Sequence, residues 1–155
     1  VCLDCQNCGG SASNGNQKLF FIQTEDSTAL TFNSETTVLT LPVVNEQSLQ
    51  PVKIDGTVQV AATISLGLTS YQYTVLMRLY RNGTLLTTKT LTQGAALSLS
   101  LAFTQITGIP LTYVDNGALF GTNTYTVTLE FSQRSSASVS TAVQSRALNA
   151  VVFAI

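Results

Sequence analysis

The sequence owns three cysteines, Cys2, Cys5 and Cys8, all within its first ten residues and each separated from the next by two others. Thiols so spaced have two chemistries open to them: they hold a metal, or they form disulfides. Iron–sulfur clusters and structural zinc want four ligands, and the bacterial run C-x2-C-x2-C-x3-C needs a fourth cysteine that this chain lacks. Asp4, or a thiol from another chain, would have to complete the set. Disulfide chemistry has parity in its favour: three thiols cannot all pair within one chain, so at least one stays free or bonds to another molecule. A disordered tail with idle thiols is a third reading that composition leaves open.

Catalysis is limited by inventory. The chain has no His, which removes the commonest general base and the usual triads. A carboxylate pair for glycoside chemistry would have to come from Glu25, Asp26, Glu35, Glu46, Asp55, Asp115 and Glu130. Most of these stand beside turns, where a carboxylate is normally a solvated cap, and Glu130 alternates outward from Leu129 and Phe131. No enzyme is expected, no cofactor and no metal.

Charged residues make up 10% of the chain and hydrophobic ones 45%, with a formal net charge of −1. Such a surface repels its own copies weakly and has no field with which to gather phosphates, so nucleic acid is not an expected partner. No window approaches the roughly 18 to 20 uninterrupted apolar residues of a membrane span. The sequence starts at Val1 with no charged and apolar leader, so a signal segment is expected to be removed or absent.

The elements that must position the thiols divide at residue 16. Residues 9–16, GGSASNGN, are all small or polar and read as a linker, so 1–16 is expected to be a connector arm and 17–155 one β-sandwich domain. Through that body apolar residues recur two apart: Val58, Val60, Ala62, Ile64 and Leu66; Tyr71, Tyr73, Val75, Met77 and Leu79; Leu97, Leu99, Leu101 and Phe103; Tyr125, Val127, Leu129 and Phe131; and a closing Val151, Phe153 and Ile155. Asn82-Gly83 between two such runs predicts a tight hairpin, which also explains the glycosylation-type triplet Asn82-Gly83-Thr84 without sugar. Val38–Leu41 and Leu19–Ile22 read as further strands, and 104–124 as the least regular part. Seven to nine strands with alternating faces predict an all-β, antiparallel jelly-roll sandwich. Leu19, Phe20, Phe21 and Ile22 run without alternation, as an interior strand of the chain's own sandwich or as a strand donated to a neighbour.

A cysteine-bearing arm, a Gly/Ser/Asn spacer and an all-β body without Trp together resemble the subunits of bacterial endospore appendages. The resemblance implies a jelly-roll domain that stacks into an extracellular fibre on a cell or spore surface, with itself as principal partner and possible contact to an anchoring or tip protein. It also implies that Cys2, Cys5 and Cys8 are inter-subunit cross-linkers. The body here has no cysteine to receive an incoming arm, so bonds would join arm to arm or arm to a different protein. A second likeness, from Tyr73–Tyr80, the turn at Asn82 and the closing ALNAVVFAI, is to tumour necrosis factor-like heads, which trimerise.

Overall fold

The structure is a computed structural model that describes residues 7–14, 17–98 and 101–154, the side chains of 7, 8 and 11–14 excepted. Ten strands are present among the described residues: β1 (Asn7–Asn14), β2 (Gln17–Thr24), β3 (Thr28–Leu30), β4 (Glu35–Asn45), β5 (Val52–Ile64), β6 (Ser70–Arg81), β7 (Thr84–Ala96), β8 (Phe103–Asp115), β9 (Gly121–Arg134) and β10 (Val139–Phe153). They form two antiparallel sheets. One runs β1-β2-β10-β5-β8, with β3 in line beyond β2 along β10; the other runs β4-β9-β6-β7. Counting β2 and β3 as one broken strand, successive strands cross between the sheets, except at the β6–β7 hairpin, in the order of a jelly roll, two four-stranded layers with β1 added outside one of them.

The alternating runs supply the core. Val58, Val60, Ala62 and Ile64 on β5, Tyr71 to Leu79 on β6 and Tyr125 to Phe131 on β9 point their apolar members inward, and Tyr73, Tyr125, Phe131, Met77 and Leu129 are among the largest fully buried side chains. Leu66 lies past the end of β5 and is exposed. Asn82 and Gly83 take φ values of 48° and 81°, the doubly left-handed turn the hairpin requires.

Four expectations change. Residues 9–14, read as linker, belong to β1 and pair antiparallel with β2 in the same chain, Gly10 opposite Phe21 and Cys8 opposite Gln23. Small residues lack burial of their own, but a ready strand edge offers them backbone hydrogen bonds. Leu97 and Leu101 lie outside strands, and Leu99 outside the described residues. Much of the supposedly irregular 104–124 is the 13-residue strand β8, in which Gly108 and Pro110 are tolerated because β8 is an edge that bonds only β5. Finally, β10 does close the chain inside a sheet, yet its buried residues near the end are Leu148, Ala150 and Val152 rather than Val151 and Phe153. The register shift between Val143 and Arg146 flips the inward parity from Val139 and Val143 to the even positions. Ile155 lies outside the described residues.

Candidate functional site

Among the described residues no three His, Cys, Asp or Glu side chains converge as metal ligands. Cys2 and Cys5 lie outside the described residues; Cys8 is placed by its backbone on β1, one end of which leads toward them. Leu19, Phe20, Phe21 and Ile22, the strand-donor candidates, pair at home, flanked by β1 on one side and by Val151, Ala150, Asn149 and Leu148 of β10 on the other.

Glu35, Glu46, Asp55, Asp115 and Glu130 each meet a cation. On the outer face of the four-stranded sheet, Arg78 Nη1 donates to Glu130 Oε2 at 2.7 Å and stands 3.3 Å from Glu35 Oε2. Thr128 and Tyr80 hydroxyls donate to Glu35 Oε1 at 2.6 and 2.7 Å. These bonds, Thr128 foremost, hold the Glu35 carboxyl below its ordinary value. That is the wrong direction for a general acid, which needs its pKa raised. Asp55 pairs with Lys53 and accepts from Thr112. Asp115 is no solvated cap: it is 3% exposed and receives Arg81 at 2.6 Å, the Tyr125 hydroxyl at 2.7 Å and the Gly117 amide at 2.9 Å. Burial first, and this bond second, push the Tyr125 phenol far up, so it stays a donor. A Cβ at position 117 would stand 2.9 Å from the Arg81 guanidinium, so a larger residue there would press on the Arg81–Asp115 pair.

A largely apolar concavity lies where β2 of one sheet passes β4 of the other. Phe20, Phe21, Ile22, Thr40, Leu41, Pro42, Val44 and Thr122, with Gly9 and Gly10, line an open groove of about 400 Å³ that contains no charged side chain. Two ties cross this corner. Lys18 pairs with Glu46 toward one end. Toward the other, Arg146 donates to the carbonyls of Val38 at 2.8 Å and Asp26 at 2.6 Å. Between the ties the two strands belong to different sheets, so only side chains fill the gap. Gly10 matters here, because a Cβ on it would come within 2.9 Å of the Phe21 ring, which packs across the strand.

Beside the groove stands a feature that sequence reasoning missed. Asn45, Gln50, Asp115 and Asn123 are buried together where the loops after β4 and β8 meet. Asn123 accepts from the Leu119 amide at 3.1 Å and donates to the Leu119 carbonyl at 2.7 Å and to Asn45 Oδ1 at 3.1 Å. Gln50 Oε1 accepts from the amides of Glu46 and Gln47 at 2.8 and 3.1 Å, and the Leu49 amide donates to Ala118 at 2.8 Å, joining the two loops. The only signal in the sequence was Asn and Asp flanking β-branched runs, which reads equally well as ordinary turn chemistry.

No family model matches the sequence, and no curated protein matches it. Solved structures match in shape: the infectious bursal disease virus Gx strain particle at 11% identity and TM-score 0.48, over 90% of this chain and 32% of that one; the VP2 subviral particle of the same virus at 11% and 0.47, over 91% and 34%; and dimeric latent PorU from Porphyromonas gingivalis at 12% and 0.49, over 96% and 14%. The chain therefore spans about a third or less of the length of the chains it matches. Overlays of this quality carry no argument, and the jelly-roll assignment rests on the strand order above.

Proposed function

We propose that the chain is a structural, non-enzymatic subunit of a self-assembling extracellular fibre of the endospore-appendage kind, its copies joined by strand addition and tied by the N-terminal thiols. The observation that carries this reading is the free edge of β7. It is 13 residues long, bonds only β6, and has Lys89 as its sole charge. An edge of that length presents a row of unpaired amides and carbonyls; a register shift at Leu86 interrupts its first residues, but residues 87–96 carry no proline and no charge besides Lys89, the devices with which proteins that stay monomeric normally blunt an edge. The scarcity of charge elsewhere and the neutralised carboxylates support the same reading. Because β1 and β2 pair at home, the reach to a neighbour falls to the residues before β1, which include Cys2 and Cys5, and the reading places oxidation there.

Negative-stain microscopy of purified, oxidised protein tests it. Filaments that shorten or vanish when Leu91 and Gln93 are replaced by Pro and Lys are expected; compact monomers at high concentration, or closed trimers of the tumour necrosis factor-like kind, would overturn it. Non-reducing electrophoresis tests the thiols separately, and a single monomer band would remove the disulfide tie.

A further inference from the structure

Leu49, Leu119 and Phe120 are 62%, 58% and 72% exposed, and the hydrogen bond from Leu49 to Ala118 places the loops that carry them side by side. Leu49 adopts φ 63°, a left-handed conformation costly for a branched apolar residue. The buried Asn45, Gln50, Asp115 and Asn123 hold this shape from beneath. A large apolar tip presented on a strained, polar-braced base is the opposite of a loose surface loop.

We propose that this tip is a knob that seats in the β2–β4 groove of a second copy of the chain. The inference deepens the self-assembly reading and rests on it. Neither surface carries a charge: the loop residues 47–51 and 116–121 include no Asp, Glu, Lys or Arg, and neither does the groove lining. The charges nearest the loops, Glu46 and Asp115, are paired with Lys18 and Arg81, and Lys53 is paired with Asp55, so among the described residues none of these three cations stands free beside the loops to favour an anionic lipid surface. The groove's 400 Å³ falls in the range that accepts side-chain-sized apolar groups. Three such residues offer only a few hundred Å², well under the roughly 800 Å² each partner buries in a stable complex. The contact is therefore weak alone and gains from a tether that raises the local concentration of the neighbour, which the thiols supply. Knob and groove are different residues of one chain, so a copy whose knob is engaged by one neighbour still offers its groove to another, and the contact can repeat where the pairing is not reciprocal.

The test uses the full chain with a photo-crosslinking benzoylphenylalanine at position 120, which keeps an exposed aromatic in place and leaves the fold alone. Irradiation is expected to join separate copies, with the linked peptides mapping to residues 9–10, 20–22 or 40–44. In parallel, Leu119→Ser with Phe120→Ser should weaken self-association by about tenfold or more, the loss typical of a buried aromatic anchor, as should Thr122→Arg in the groove. An equimolar mixture of the two variants should regain pairs, because one retains the groove and the other the knob. Cross-links that are absent or map elsewhere, unchanged association of the double-serine variant, or lost binding to phosphatidylcholine vesicles with association intact would each overturn the proposal. Groove cross-links without filaments would leave this contact standing and remove the fibre reading; filaments without groove cross-links would do the reverse.

Discussion

Along the β2–β4 corner the two sheets are tied at the ends by Lys18–Glu46 and by Arg146, and apolar side chains line the space between. A few residues away, at the loop end, four polar side chains are buried: Asn45 and Asn123 bond each other, while Asn123, Gln50 and Asp115 bond the loop backbone. The contrast is one of directionality. Apolar surface loses little when a neighbour is absent and gains when any well-shaped neighbour arrives, whereas a buried hydrogen bond has one geometry and leaves a costly orphan when either partner goes. The corner is suited to receive, the loop end to hold a shape.

Breaking the loop end should have the largest effect. Arg81→Met leaves Asp115 buried without its cation and is expected to cost about 3 to 5 kcal/mol, measured as a shift of the urea midpoint by circular dichroism. Asn123→Ala, which orphans the Leu119 amide and carbonyl together, should cost about 2 to 3 kcal/mol and raise amide exchange at Leu49 and Leu119 while leaving β5 protected. The outer-face network offers a smaller effect with a definite sign. Glu35 has its folded pKa lowered, so its contribution is present above its ordinary value of 4.5 and is lost as pH falls through the lowered value. Its partial exposure limits this to under about 1 kcal/mol, and Glu35→Gln should flatten that part of the acid titration of stability. Smallest of all, Val44→Thr in the groove should shift stability by less than about 0.5 kcal/mol. A groove substitution that cost as much as Asn123→Ala would erase the distinction between the two regions.

The strands legible in the sequence are those with one buried face and no interruption. Tyr71 to Leu79 and Tyr125 to Phe131 alternate cleanly because β6 and β9 are interior strands of a sheet that is wet on its outer side. Asn82-Gly83 was readable because so few residue pairs accept its backbone. Edges were harder: Gly108 and Pro110 resemble loop punctuation until β5 supplies a partner, and β1 has no apolar pattern at all. On β10 a bulge inverted the phase, something no periodicity count reveals beforehand. As for the candidate site, the apolar run at Leu19–Ile22 pointed to one wall of the groove, but its other wall, and the polar base beneath Leu49 and Phe120, depend on contacts between residues far apart in sequence.

The placement of β10 carries a consequence for timing. It is the last described strand to be synthesised, yet it lies between β2 with β3 on one flank and β5 on the other. Until residues 139–153 arrive, those strands lack the neighbour that completes their layer, and the walls of the corner groove have no fixed spacing. A half-made chain thus has no finished socket, and on the proposed reading joining to other copies would wait for the final strand to lock in. On that reading the order of strands along the chain would work as a clock that separates making the subunit from using it.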